Sequence, residues 1–157
     1  MIAKLLIVIV IVLLAGFALR TYMPKMGSSV AGGFEQRDGE NRLLDCPDMP
    51  NCQGTESSRV SQQVDRVAIN NDPDKTMEKV VSIVGAQTGA ELVSQDGSYA
   101  HFTFTSATLQ FVDDVEFLMS DDRQSVQLRS ASRLGKSDLG ANEKRIKELN
   151  TVLSGEL

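Results

Sequence analysis

The sequence predicts a two-layer α+β domain, with an antiparallel sheet of about four to five strands carrying two helices on one face, preceded by one N-terminal transmembrane helix. Three observations point to this. An apolar run opens the chain, two stretches with helical spacing bracket the remainder, and segments of alternating character separated by turn residues lie between them.

The opening run, Leu5 to Leu19, is uninterrupted and would make a helix of about 22 Å, short of the ~30 Å hydrocarbon core of a bilayer. Lys4 and Arg20 can snorkel from its ends, while Ile2, Tyr22 and Met23 extend its apolar character. Residues 1–23 therefore read as an anchor or a signal segment. Cleavage needs a small-residue site, and Gly16-Phe17-Ala18 is a poor one, which favours a retained anchor. No cysteine follows Leu14-Ala15-Gly16, which argues against a lipoprotein. Lys4 and the terminal amine favour an N-in orientation, partly offset by Arg20 and Lys25.

Residues 24–42 are rich in Gly and Ser and show no helix or strand period, so they read as a flexible linker spanning about 25 Å root-mean-square. Residues 43–157 form the soluble domain, long enough for one core without a metal or a disulfide. Of the 16 Lys and Arg, three lie at or before Lys25, while all 21 Asp and Glu lie beyond it; the part outside a membrane thus carries a net charge of −8. An acidic domain without a basic stripe is a poor partner for nucleic acid, and anionic headgroups would repel it, so membrane attachment falls to the N-terminal helix.

Within the domain, Asn71-Asp72-Pro73-Asp74 is a helix start, with Asp72 as N-cap and Pro73 in the first turn. Met77, Val80, Val81 and Val84 follow along one face, and Gly85 or Gly89 would end the helix. Glu91–Ser94 and Tyr99–Thr105 flank the turn Gln95-Asp96-Gly97; Ala100, Phe102 and Phe104 alternate against Tyr99, His101 and Thr103. Leu109–Leu118 and Ser125–Ala131 flank Asp121-Asp122, with Val115, Phe117, Val126 and Leu128 as inward positions. Ser137-Asp138 caps a second helix in which Leu139, Ile146, Leu149 and Leu153 share a face. Val64–Ile69 could add a strand. The sheet face away from the helices would be polar or lightly covered, and that is where a ligand or partner would meet it.

Asp45 to Cys52 reads DCPDMPNC. Thioredoxin-type redox chemistry needs C-x-x-C at a helix start, and a zinc site needs two further ligands; neither condition is met. With an apolar leader and two cysteines in the chain, a Cys46–Cys52 disulfide in an exported domain is the better reading, contributing roughly 2 kcal/mol by loop closure.

Polar residues concentrate in Phe111–Phe117 (FVDDVEF), Arg129–Arg133 (RSASR) and Gly135–Arg145 (GKSDLGANEKR). Alternation sends Asp114 and Glu116 to one sheet face and Asp113 to the other, within reach of Arg129 and Arg133 on the next strand. Such carboxylates could hold a divalent cation or act as an acid/base pair, or they could be neutralised by the arginines. Arg129, Arg133 and Arg145 would repel a cation, which favours neutralisation. Ser137, Asp138 and Asn142 open the last helix, where capping competes with an anion site flanked by Arg133, Lys136 and Arg145. His101, the lone histidine, lacks the neighbours a metal site requires.

Together, the loop C-P-x-x-P-N-C, the strand F-V-D-D-V-E-F and the run R-S-A-S-R-x-G-x-S-D-x-G-x-N-x-x-R resemble a family catalogued as a domain of unknown function, number 1499, from about Leu44 to the C-terminus. Two positions depart from its pattern: Gln53-Gly54-Thr55-Glu56 stands before Ser57-Ser58 where the family runs on as V-S-S, and Glu143 replaces a basic residue. The resemblance implies a small bacterial, sometimes plastid, protein with a targeting or membrane segment, and it implies no activity, substrate or cofactor. The expectation is a single-pass inner-membrane protein with its domain in the periplasm, or a periplasmic protein after cleavage. Its role would be a non-catalytic accessory module binding a protein partner in the membrane or envelope; a small-molecule or lipid binder is the alternative, and a hydrolase using Asp113, Asp114, Glu116 or His101 a third. No cofactor or metal is expected.

Overall fold

The computed structural model describes residues 2–26 and 32–157, with side chains omitted for 20–26. The expected snorkelling of Arg20 and the side chains of Tyr22 and Met23 therefore lie outside the described residues, as does the linker segment 27–31. Helix α1, Ile2–Met26, continues past the apolar run, and its Ile2–Leu19 stretch is exposed throughout. By length and composition it is apolar enough to cross a membrane, as an anchor or a signal sequence would be.

The soluble part is α+β. Helix α2, Pro73–Gly85, begins as its sequence dictates: the Asp72 side chain accepts from Asp74 N–H at 3.0 Å, and Pro73 occupies the first turn. Strands β5 (Ala90–Asp96) and β6 (Tyr99–Thr105) form the first hairpin, and β7 (Val112–Met119) and β8 (Ser125–Ser132) the second. Helix α3 is Ala141–Glu156. Two short strands, β3 (Cys52–Gly54) and β4 (Val67–Ala68), both pair antiparallel with β8, completing a six-stranded sheet of order β3-β8-β7-β6-β5 in which β4 pairs with the first residues of β8 and β3 with its later ones.

Register places Phe102 opposite Val115 and Phe117 opposite Leu128, so one sheet face is apolar. Both helices cover it. Met77, Val80 and Val84 of α2, and Ile146, Leu149 and Leu153 of α3, bury against Ala100, Phe102, Phe104, Val115, Phe117, Val126 and Leu128. Gly89 stands at the β5 entry with φ +82°, and a Cβ there would meet the Thr105 carbonyl oxygen at 2.7 Å, so only glycine fits this turn.

The structure corrects the expected layout in two places. Residues 34–42, read as flexible linker, belong to the domain: β1 (Phe34–Arg37) and β2 (Glu40–Leu43) form a hairpin that contacts β7 and β8 on the face away from the helices. Its turn residues Asp38 and Gly39 are both left-handed, at φ 55° and 84°. The strands carry no apolar alternation because they meet a polar surface; Leu43 N–H donates to Gln127 Oε1 and Gln127 Nε2 to the Asn41 carbonyl, both at 2.9 Å.

Leu139 is the second correction. It lies before α3, at φ 55°, and is 97 % exposed; Asn142, wholly buried, takes the expected first place on the inner stripe. The cause is a delayed helix start. Asp138 accepts from Gly140 N–H at 3.0 Å and Asn142 N–H at 2.7 Å, capping a helix whose first residue is Ala141.

Candidate functional site

The residues singled out from sequence gather at the middle of β7 and β8, divided between the sheet's two faces. On the face away from the helices, Glu116 lies opposite both His101 and Arg129 across the strands. Its Oε2 accepts from Arg129 Nη1 at 2.7 Å, and its Oε1 accepts from the Tyr99 hydroxyl at 2.6 Å and from Gly33 N–H. A Cβ on Gly32 would sit 2.6 Å from that same Oε1, so the hairpin's approach requires glycine there. Burial, then the adjacent Glu116 carboxylate, push the Tyr99 hydroxyl far above the ordinary phenol range.

Asp114, two residues earlier on the same face, is 2 % exposed. It accepts from Arg133 through Nε at 2.9 Å and Nη2 at 2.7 Å, the bidentate geometry that suits guanidinium to carboxylate. His101 Nε2 reaches its Oδ1 at 2.8 Å, and an ionised carboxylate can only accept, so Nε2 carries the hydrogen. Burial raises the Asp114 carboxyl, but hydrogen bonds from His101 and Arg133 and the arginine charge outweigh it and hold the group below its usual range. Asp114 is the ring's hydrogen-bond partner among the described residues.

Asp113 faces the helices. Arg145 of α3 binds it through Nη2 at 2.8 Å and rests its guanidinium 4.9 Å from the centre of the Phe104 ring. Arg145 Nη1 also donates to Asn142 Oδ1 at 2.7 Å and to Ser130 Oγ at 3.1 Å. Asn142 is the hub of this cluster: its Oδ1 also accepts from Ser130 Oγ, and its Nδ2 donates to the Asn51 carbonyl at 3.0 Å and Ser132 Oγ at 2.9 Å. Asn51 Nδ2 in turn donates to the Gly135 carbonyl at 2.7 Å.

Cys46 and Cys52 are bonded, closing the loop that presents Asn51. Cys52 pairs with Ala131 in the sheet, so the loop is docked against β8. The three sequence motifs therefore meet physically. The loop supplies Asn51, the strand supplies Asp113, and the run before and within α3 supplies Ser130, Asn142 and Arg145.

A family model described as "Protein of unknown function (DUF1499)" matches residues 42–153, which contain all three motifs, all of α2 and most of α3. The chain belongs to the DUF1499 family. No curated protein and no solved structure matches it. The DUF1499 match begins inside β2, so β1 and the turn that follows it precede the matched region.

At the start of α3, where an anion site was considered, the candidate groups have partners within the chain. The Asp138 carboxylate accepts from Gly140 N–H and Asn142 N–H, Ser137 Oγ accepts from Leu139 N–H at 3.3 Å, and Arg133 and Arg145 are engaged on Asp114 and Asp113. No cluster of three His, Cys, Asp or Glu side chains suited to a metal occurs among the described residues. The arrangement also uses residues not chosen from sequence as site candidates: Asn51, Tyr99, Gln127, Ser130 and Ser132 within the matched region, and the Gly32-Gly33 pair before it. Gln127 had a signal, since a polar residue between Val126 and Leu128 marks the strand's second face as polar.

Proposed function

We propose that this DUF1499 protein is a membrane-tethered, non-catalytic binding domain that serves a membrane or envelope complex from the periplasmic side of a bacterial inner membrane. The observation that carries this reading is the complete engagement of the signature carboxylates: Asp113 by Arg145, Asp114 by Arg133 and His101, Glu116 by Arg129 and Tyr99. A general base needs a carboxylate that can reach substrate, and a divalent cation needs carboxylates not already claimed by guanidinium groups. The disulfide and the apolar leading helix support an oxidising compartment bordering a membrane.

Photocrosslinking in intact membranes tests the role. A reproducible, stoichiometric protein neighbour supports it; its absence, with a hydrolytic activity lost in Asp114→Asn, sinks it. Thiol labelling tests the compartment, since cysteines that react from the outside only after reduction place the domain there, and free thiols reached from the cytosol reverse the assignment. A second reading, an apolar small molecule or lipid as ligand, is supported by a cavity of about 360 Å³ between the β6–β7 and β8–α3 connections, lined by Leu109, Phe111, Leu134 and Leu139. Native mass spectrometry of the purified protein detects such a ligand directly.

A further inference from the structure

Charge and apolar surface are distributed unequally between the two ends of the sheet. One end carries the turns and caps holding Asp38, Asp72, Asp74, Asp96, Asp121 and Asp122; Asn41 binds Asp121, Arg123 binds Asp74, and Met119 N–H bonds the Ser98 carbonyl beside the Asp96 turn. The opposite end is formed by the β6–β7 connection, residues 106–111, and the β8–α3 connection, residues 133–140, with the disulfide loop, which carries Asp45 and Asp48, docked beside the latter through Asn51. The first of these contains no charged residue. In the second, Arg133 is engaged on Asp114 and Asp138 on backbone N–H groups, leaving Lys136 as its remaining charge.

The two weakly charged connections present one leucine each to solvent. Leu109 is 51 % exposed and Leu139 is 97 % exposed. Leu139 is held there at φ 55°, a conformation costly for a side chain with a Cβ, by the capping bonds on either side of it. Hydration of two projecting leucines beside an apolar cavity is unfavourable unless something covers them.

The path of the chain indicates what lies there. Leu43 bonds Gln127, near the Asp121 end, and Gly33 bonds Glu116, further along β7. Read backwards from Arg37 to Gly32, the chain therefore runs from the acidic end toward the leucine-bearing end. From Gly32 to the last residue of α1, Met26, it can reach at most about 20 Å, and the stretch Arg20–Met26 adds about 10 Å of helix beyond the apolar window. The hairpin takes residues 34–42 of the expected linker and α1 takes 24–26, so the domain is confined close to the membrane that α1 enters.

From these relationships we infer that the leucine-bearing end of the domain docks on the bilayer spanned by α1, with Leu109 and Leu139 inserted at the headgroup–acyl boundary and the acidic turns pointing away. This inference rests on the tethered reading of α1. Its occupant is the lipid surface itself, recognised by apolar insertion, since this end offers Lys136 rather than a basic cluster to anionic headgroups.

The chain has no tryptophan, so a single Trp reports on its own position. The full chain carrying Leu139→Trp, Leu109→Trp or, at the acidic end, Gln124→Trp is reconstituted into phosphatidylcholine vesicles with and without brominated acyl chains, and vesicle flotation is measured in parallel. All three sites lie on the surface, so the fold tolerates the change. Docking gives a blue-shifted emission and about twofold quenching by the bromolipid at positions 109 and 139, with Gln124→Trp unaffected. Equal quenching at all three positions, or none at 109 and 139 in vesicles that float with protein, overturns the docking and leaves the tether standing. Protein that fails to float overturns both.

Discussion

Glu116 and Arg129 stand directly opposite one another on β7 and β8 and share an ion pair of 2.7 Å, with the two side chains 0 % and 4 % exposed. A pair so deeply placed fixes register more than it adds stability, because desolvating both charges offsets most of their attraction. Removing one partner is another matter. Glu116→Gln leaves a buried guanidinium without its carboxylate and is expected to lower unfolding stability by about 3 kcal/mol, whereas Glu116→Met combined with Arg129→Met costs less than the single change. Urea titration of the detergent-solubilised chain measures both; a double variant weaker than Glu116→Gln would contradict this account.

Asn142→Ala removes the group that joins Asn51, Ser130, Ser132 and Arg145. The loss is expected to be about 2–4 kcal/mol, since several buried polar atoms lose their partner at once. Hydrogen exchange should quicken both in the Cys46–Cys52 loop and at the start of α3. Exchange confined to α3 would mean that the loop docks without it.

Stability should fall at both pH extremes for identifiable reasons. Asp114 is held below its ordinary range in the folded state, so its contribution is present above the unfolded carboxylate value near ~3.9 and is lost as pH falls below it. Tyr99 is held above its ordinary range, so its contribution is present below the unfolded phenol value near ~10 and is lost as pH rises beyond it. Denaturant midpoints measured against pH should show a shallower alkaline decline in Tyr99→Phe than in the parent chain. Parallel declines would exclude Tyr99 as the cause.

Gly32→Ala places a methyl group against a carboxylate already bound by Tyr99, Gly33 and Arg129. The expected cost is about 1–2 kcal/mol, with the β1–β2 hairpin becoming sensitive to protease while the main sheet stays protected. Uniform protection throughout would show that Glu116 can yield.

Reduction of Cys46–Cys52 is expected to cost about 2 kcal/mol, the loop-closure value for so short a ring. The effect should be local, because Gln62 Nε2 and Arg59 Nη1 also bind loop carbonyls and keep Asn51 near Asn142. Thermal melts with and without reductant measure it.

The helices and the four long strands were legible because their inward residues are apolar and follow the periods of helix and strand; Phe102, Phe117, Leu128 and Ile146 each lie where periodicity puts them. The β1–β2 hairpin was not legible by the same test, since Glu40, Asn41 and Arg42 face polar partners or water and carry no apolar period. Asp38-Gly39 was the available sign, a turn pair without the flanking alternation that gives it weight. Within the site, strand alternation correctly divided Asp113 from Asp114 and Glu116, because face is a local property of the strand. Which arginine meets which carboxylate was beyond it. Arg145 reaches Asp113 from a helix 32 positions away, a pairing set by how α3 crosses the sheet.

The hydrogen bonds of Gly33, Asn41 and Leu43 to the second hairpin join residues 80 to 86 positions apart, with partners on β7, on β8 or in the turn between them. During synthesis at ~5–20 residues per second, the first strands must therefore wait on the order of ten seconds for the groups that will receive them. Until then Glu116, Arg129 and Gln127 do not yet exist in the nascent chain, and nothing can close over them. The polar face thus stays open until β8 has been made, and the oldest part of the domain is what closes it.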